Sequence, residues 1–386
     1  MFGYHMPTHV FIEPGCMARL PEAARSLQMG SVVLVTDPGL RSSPWPEQAL
    51  EMLAYVGIRC HLFDEVEPNP RTTTVSRLAE ILREDDEAGV VALGGGSAMD
   101  CAKAAAMLAN NELRLEQYEG MNRYAHPPRP FVAIPTTCGT GSEVTWVSVL
   151  SHEPTRSKIS IKGESMFPDQ ALVDSDLIAT LPSHLVAWTG MDALTHALEA
   201  TTCTRANSVS NALAEKAIAL LFRFLPQAVQ DVENDDVARE AVMRASTLAG
   251  LAFGNADVAA VHCLSESLGG LYDHPHGLLN AMLVRPVLGY HRRFIEDRLA
   301  DLGDMVAAVL NEERLGDAPQ SERADRFLEL LARLEKQCEI PAFSSLEVPA
   351  DAHADIAERA VRNGSNRSNP QPMSVQSYQE ILEGLA

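Results

Sequence analysis

The sequence predicts a two-part fold: an α/β N-terminal half, residues 1–180, on a parallel sheet, then an all-α C-terminal half, residues 181–386. Three observations carry this. Up to residue 180, short β-branched runs alternate with helical patterns. Those runs are almost continuously apolar, as strands are when helices cover both faces of a parallel sheet. Beyond Pro182, strand-like runs nearly vanish and apolar residues recur at helical spacing.

Taken in order, Ser31-Val-Val-Leu-Val-Thr-Asp37, Arg59-Cys-His-Leu-Phe63, Gly89-Val-Val-Ala-Leu93 and Phe131-Val-Ala-Ile134 are expected as strands buried on both faces. Between them, Thr74 to Glu84 keeps Val75, Leu78, Ile81 and Leu82 on one side of a helix. In the C-terminal half, Asn211 to Val232 places Leu213, Ala217, Leu220, Leu221, Phe224 and Leu225 at helical spacing. The same periodicity runs through Val237–Phe253, Glu296–Leu310, Ala324–Cys338 and Asp355–Arg362, which reads as a helical bundle. There is no internal repeat and no low-complexity tract. A cleft between two such halves is the expected place for a small-molecule site.

Composition narrows the function. Of 386 residues, 46% are apolar and 22% charged, an ordinary globular balance that excludes a wholly disordered chain. Lys plus Arg is 31 and Asp plus Glu is 52, a net charge of −21. So acidic a surface repels phosphate backbones and anionic lipid, which argues against nucleic acid and membrane partners. No apolar run approaches the ~18–20 residues needed to span a bilayer. Met1-Phe-Gly-Tyr-His-Met-Pro7 lacks a cationic start followed by an apolar stretch and is not read as a secretion signal, so a cytoplasmic protein is expected. The seven cysteines are odd in number, scattered and without a C-x-x-C pair. They support neither a disulfide framework nor a thiolate zinc cluster, and are expected as small buried hydrophobes.

Two features of the first half suit a phosphorylated ligand. Gly94-Gly-Gly-Ser97 follows a strand and opens the strong helix former Ala98-Met-Asp-Cys-Ala-Lys-Ala-Ala-Ala106. Glycines there let backbone N–H groups approach a phosphate at a helix N-terminus, and Ser97 is expected to cap the helix and donate to an oxygen. The pattern is not the G-x-G-x-x-G fingerprint. Pro135-Thr-Thr-Cys-Gly-Thr-Gly-Ser-Glu143 follows the next strand and carries four hydroxyl residues in nine positions, as a ligand loop would. Asp37 ends an earlier strand, where a carboxylate can accept from ribose hydroxyls and disfavour a 2′-phosphate.

The second half carries a metal-type constellation. In Gly190-Met-Asp-Ala-Leu-Thr-His-Ala-Leu-Glu199, Asp192 and His196 stand four apart on one helical face, so both can meet one cation. His262 has a carboxylate, Glu266, four residues later, and His274-Pro-His276-Gly adds one or two imidazoles on a Pro/Gly loop. One carboxylate oxygen with three imidazoles suits Fe(II), Zn(II), Co(II) or Ni(II). Open coordination positions would let such an ion polarise a carbonyl or stabilise an alkoxide.

These stretches, joined by Ala252-Phe-Gly-Asn-Ala256, Leu268-Gly-Gly270, Pro275-His-Gly277 and Asn366-Arg-Ser-Asn-Pro-Gln-Pro, resemble the iron-containing (group III) alcohol dehydrogenase family over essentially the whole chain. The resemblance implies a Rossmann-like dinucleotide-binding domain at 1–180, a helical metal-binding domain at 181–386, and an active site in the cleft between them. It implies Asp192, His196, His262 and His276 as metal ligands, with His274 a neighbour. It implies cofactor contacts at Asp37, Asn69, Gly95, Gly96, Ser97, Thr136, Thr137, Thr140 and Lys158. An acid at position 37 favours NAD over NADP, and Fe(II), with Zn(II) as the alternative, is the implied metal. The implied reaction is hydride transfer between nicotinamide and a metal-bound small alcohol or aldehyde, in a homodimer or larger homo-oligomer.

One departure stands out. Many family members carry a histidine four residues after the third ligand, where this chain has Glu266. A relay carboxylate or a further ligand is expected there, and a fixed negative charge would favour neutral or cationic alcohols over hydroxy acids. The alternatives are a 4-hydroxybutyrate-like or glycerol-type dehydrogenase, a dehydroquinate synthase relative, or a non-catalytic nucleotide- and metal-binding protein.

Overall fold

A computed structural model of the protein describes residues 3–313 and 315–385; Met1 and Phe2, part of the stretch not read as a secretion signal, lie outside them. The chain divides into two compact units: His5–Leu181, and the chain from Pro182 onward together with Gly3 and Tyr4.

The first unit runs β1 (His9–Ile12), α1 (Leu20–Ser26), β2 (Ser31–Val35), α2 (Trp45–Tyr55), β3 (Arg59–Phe63), α3 (Thr72–Arg83), β4 (Ala88–Gly94), α4 (Gly96–Ala109), β5 (Gly120–Met121), β6 (Phe131–Pro135), β7 (Val147–His152), β8 (Ser157–Lys162) and β9 (Gln170–Val173). Six strands form one sheet in the order β1-β9-β6-β4-β2-β3, and every pairing in it is parallel. The two-residue period divides its side chains between two cores. Val33, Val35, Val90 and Ala92 pack with Leu78 and Met99 of α3 and α4, whereas Val32, Leu34, Val91 and Leu93 pack with Leu20 and Leu53 of α1 and α2. Each fully buried Val or Leu is worth about 1.5–3 kcal/mol, so helices on both faces are what this pattern stabilises. All residues of β2, β4 and β6 are buried. The edge strand β3, paired only with β2, departs from the expectation: Arg59 and His61 are exposed, Cys60 and Leu62 half-buried, and only Phe63 is buried. A second sheet, β5-β8-β7, contains the antiparallel hairpin β7–β8.

The second unit is helical: α5 (Ser183–Thr202), α6 (Ser208–Asp231), α7 (Asp236–Phe253), α8 (Ala260–Tyr272), α9 (His276–His291), α10 (Glu296–Val309), α11 (Gln320–Gln337), α12 (His353–Arg362) and α13 (Val375–Glu383). Its starts are chemically marked. The Asn207 side chain accepts from the Val209 and Ser210 N–H groups at the head of α6, and Asp235 accepts from Ala238 N–H at the head of α7. Helix α11 buries Ala324, Phe327, Leu330, Leu331 and Leu334 at three- and four-residue spacing. No helix among the described residues is long and apolar enough to cross a membrane. All seven cysteines are free thiols, six of them buried.

Candidate metal centre and dinucleotide-binding loops

In the first unit, the carboxyl ends of the adjacent parallel strands β2, β4 and β6 carry the residues expected to meet a cofactor. Ligands of open α/β sheets bind beyond such ends. Gly94 closes β4, Gly95 is the turn, and α4 begins at Gly96. A Cβ on Gly95 would come within 3.0 Å of Thr137 Cγ2, and one on Gly96 within 2.6 Å of Thr140 Cγ2. The two loops therefore touch where only hydrogen fits. Thr137 Oγ1 is buried and has no hydrogen-bond partner among the described residues, a hydroxyl suited to a bound ligand. Ser97 does not cap: the N-cap is Gly95, without a side-chain cap bond, and Ser97 sits inside the first turn. That leaves the first N–H groups of α4 for an anion.

Asp37 lies just past β2 and accepts from Leu40 N–H through Oδ1 at 3.0 Å. Asn69, in the left-handed region at φ 56°, and Lys158 of β8 come together, with Lys158 Nζ donating to Asn69 Oδ1 at 2.6 Å and to Ser151 Oγ at 3.0 Å. Sequence reasoning missed what holds the hydroxyl-rich loop. Lys103 on α4, almost fully buried, donates to the carbonyls of Ser142, Thr145 and Val147 at 3.0, 2.9 and 2.8 Å. One helical turn earlier, Asp100 accepts from Ser142 Oγ at 2.7 Å and Val149 N–H at 2.9 Å. Burial pushes the Lys103 ammonium down to about 8, against the opposing charges of Asp100 and Glu143. The signal was present: Asp100 and Lys103 are polar positions in an otherwise apolar alanine-rich helix.

In the second unit, one ligand-type atom from each of Asp192, His196, His262 and His276 lies within 4.8 Å of all the others. Asp192 and His196 face the cluster from α5, four residues apart, with Asp192 Oδ1 to His196 Nδ1 at 3.8 Å. His262 arrives from the first turn of α8. His276 was expected on a loop and instead is the first residue of α9, after Pro275. Proline before a helix start favours this, since its fixed φ suits the helix entry. The first three are buried and His276 is half-buried. Phe253, at the end of α7, stacks on the His196 ring at 4.3 Å and 16°.

The acceptors converge. Asn280, fully buried and one turn after His276, turns its Nδ2 to Asp192 Oδ1 at 2.6 Å and to the Nε2 atoms of His262 and His276, both at 3.1 Å. One amide nitrogen has two hydrogens for three acceptors, while its own Oδ1 is buried with no partner among the described residues. Three lone pairs aimed at one point, in a set of one carboxylate and three imidazoles, fit a divalent cation. Behind His262 stands Glu199, almost fully buried, whose Oε2 accepts from His262 Nδ1 at 2.6 Å. Burial opposes protonation of His262, but the hydrogen bond and charge of Glu199, with Asp192 and Glu266 beyond, hold its pKa above the ordinary imidazole value. Glu266 is outside the four-residue group; it is half-buried, and its Oε2 accepts from Asn363 Nδ2 at 2.6 Å.

A parallel sheet with dinucleotide-type loops and a helical unit with a buried carboxylate-and-imidazole cluster define a class: α/β-plus-helical proteins equipped to hold a dinucleotide and a divalent ion. The comparisons name the family. Residues 7–175 match the family model described as iron-containing alcohol dehydrogenase, and residues 186–386 the Fe-containing alcohol dehydrogenase C-terminal model. The chain is 36% identical to 1,3-propanediol dehydrogenase of Klebsiella pneumoniae, covering 99% of this chain and 98% of that protein. It is 31% identical to the NAD-dependent methanol dehydrogenase of Bacillus methanolicus, over 99% of each. A crystal structure of a 1,3-propanediol oxidoreductase superposes with a TM-score of 0.95 at 35% identity, covering 100% of both chains. The chain belongs to the iron-containing alcohol dehydrogenase family.

Proposed function

We propose that the protein oxidises small neutral alcohols with NAD and, in reverse, reduces the corresponding aldehydes with NADH, using a divalent ion held by Asp192, His196, His262 and His276. The observation that carries this is the convergence of those four side chains on one point. Fe(II) is the ion proposed, with Zn(II) as the alternative. When bound, the ion supplies an electrophile for the substrate oxygen and the nicotinamide accepts or donates the hydride.

The chain's own residues do the rest. Asp192 contributes the one negative charge of the ligand set, so a divalent ion keeps net positive charge for an oxygen ligand. Phe253 covers one face of His196 and keeps that side of the site dry. The N–H groups of Gly95, Gly96 and Ser97 and the hydroxyls of Thr136, Thr137 and Thr140 hold phosphate oxygens; Asp37 accepts from the ribose; Asn69 and Lys158 act as a pair. Glu266, one turn after His262, relays the proton that leaves the substrate hydroxyl, its carboxylate steadied by Asn363. Its charge disfavours carboxylate substrates, and the propanediol and methanol named for the relatives are neutral. The seven free thiols suit the reducing cytoplasm, and a homodimer or larger homo-oligomer is proposed on the family resemblance alone.

The test is anaerobic purification, metal analysis, and NADH oxidation with neutral and acidic aldehydes, with and without added Fe(II) or Zn(II). Metal-dependent turnover of neutral aldehydes is expected. Turnover of acidic aldehydes alone would reverse the assignment of Glu266, as would Glu266→Gln with an unchanged pH profile and substrate preference. No turnover with a filled metal site would favour a non-catalytic role.

A further inference from the structure

Helix α8 begins without a cap of its own. Its N-cap residue, Ala259, offers no side-chain hydrogen bond, and Glu199 of α5 does that work from another helix. Oε2 of Glu199 accepts from Ala259 N–H at 2.8 Å and Oε1 from Val261 N–H at 2.7 Å. Oε2 also accepts from His262 Nδ1 at 2.6 Å. A carboxylate at a helix N-terminus is favoured by the helix dipole and by the unpaired N–H groups there. The three donors to this carboxylate are two backbone amides and one imidazole.

The same three bonds set the chemistry of His262. An ionised carboxylate only accepts, so the imidazole proton is fixed on Nδ1 and the Nε2 lone pair is left pointing at the cluster. Nε2 indeed faces a donor, the Asn280 amide at 3.1 Å. Glu199 lies three residues after His196 and seven after Asp192, positions that share one face of a helix. One stripe of α5 therefore carries two members of the cluster and orients a third that belongs to α8.

We infer that Glu199 is a positioning residue: it caps α8 and locks the His262 tautomer, so that the start of α8 and its ligand nitrogen are set together by one buried carboxylate. This rests on the reading of the four residues as metal ligands.

Glu199→Gln separates the roles. A glutamine turns one accepting oxygen and one NH2 group, which only donates, toward three donors. Where its N–H faces Nδ1, the imidazole proton moves to Nε2 and the lone pair is lost from the cluster; where it faces a backbone amide, α8 loses a cap bond. In the full-length protein stripped of metal by chelation and titrated with Co(II), E199Q is expected to bind ~10–100-fold more weakly than wild type. Its visible Co(II) band should also be altered. Glu199→Asp keeps an acceptor-only group and should restore the band shape with intermediate affinity. A merely structural role would lower the melting temperature of the metal-free variant and leave the band where it was.

Unchanged affinity and band in E199Q, with wild type binding one equivalent, would overturn the inference alone. A wild type that takes up no Co(II), or takes it up equally after His262→Ala, would instead overturn the ligand reading. If E199Q does not fold, the ¹⁵N-histidine spectrum of metal-free wild type decides. The signal lost in His262→Ala should carry its proton on Nδ1; a proton on Nε2 overturns the inference.

Discussion

A Cβ built on Gly277 would stand 2.8 Å from the carbonyl oxygen of Trp188 and 3.5 Å from Asp192 Cβ. The first turn of α9 and the second turn of α5 thus meet backbone to backbone, one residue from His276. A backbone oxygen cannot swing away as a flexible side chain does, so Gly277→Ala has to separate the two helices. Overpacking of this kind costs about 1–3 kcal/mol. The expected outcome is a lower urea midpoint with an unchanged slope, and weaker metal uptake because His276 moves relative to Asp192. A variant with wild-type metal affinity would show that the contact yields without moving the imidazole.

Asn280→Leu tests the other close relationship in the cluster. Leucine fills a similar volume but donates nothing, leaving Asp192 Oδ1 and two imidazole nitrogens without the donor they share in the metal-free protein. Stranding buried acceptors costs about 1–3 kcal/mol each. With an ion present the imidazole lone pairs are occupied and only the bond to Asp192 is lost. Calorimetry should therefore show a larger drop in melting temperature without metal than with it. Equal drops would mean that the amide has no special relation to the empty ligand set.

The legible parts of this molecule were those where burial writes directly into the sequence. β2, β4 and β6 are buried throughout and read as continuous apolar runs. β7 and β8 do not read as strands because polar residues stand on both of their faces: Ser148 is itself buried beside Leu150, and Ser151, Lys158 and Ser160 occupy half-buried outer positions, which dilutes the apolar alternation. Asp192 and His196 were visible through their spacing on one helix. Glu199 lay inside the same stretch, yet its partners are the backbone of α8 some sixty residues later, and no local pattern announces a remote cap. Asn280 sits one turn after His276, but the Pro/Gly-flanked His274-Pro-His276-Gly reads as a loop, where a four-residue spacing carries no meaning.

His291 predicts an acid sensitivity. It is buried at the end of α9 with Nε2 3.3 Å from Met373 Sδ, and burial drives its pKa down to about 4, with only a weaker opposing pull from Glu199. The native value lies below the unfolded one of about 6.5. As pH falls from 6.5 toward 4 the unfolded chain takes up a proton that the folded chain refuses, so stability is lost over that window and is complete above it. Wild type should lose up to ~3 kcal/mol there through this group, and His291→Leu should lose correspondingly less. Parallel pH–stability curves for the two proteins would refute it.

Lys103→Met addresses the loop that follows β6. The ammonium donates to all three carbonyls of Ser142, Thr145 and Val147, and its charge partly offsets those of buried Asp100 and Glu143. Removing it strands three carbonyls and leaves buried carboxylate charge without its compensating cation, at a cost of about 3–5 kcal/mol. Asp100→Asn/Lys103→Met should recover part of that loss. NADH fluorescence titration should also show weaker binding by the single variant, because Thr136, Thr137 and Thr140 belong to the released loop. Tight NADH binding by a destabilised K103M would confine Lys103 to folding alone.

Asp37 predicts the choice of dinucleotide. Leu40 N–H holds Oδ1, while Oδ2 faces β4, 3.5 Å from where a Cβ on Gly94 would stand. A carboxylate there can accept two ribose hydroxyls but repels a 2′-phosphate, by about 1 kcal/mol at 4 Å in bulk water and about 4 kcal/mol at the effective dielectric near a protein surface. Asp37→Asn removes the charge and keeps an oxygen for Leu40 N–H, so the turn is preserved and the electrostatic effect is isolated. The ratio of kcat/KM with NADPH to that with NADH should rise at least ~10-fold, mostly through tighter NADPH binding, and more at low ionic strength than at high. Asp37→Ser should move the ratio further, since a smaller side chain also makes room for the phosphate. A ratio that stays put in both variants, with NADH turnover intact, would mean that the carboxylate serves the turn at Pro38-Gly39 and does not touch the ribose.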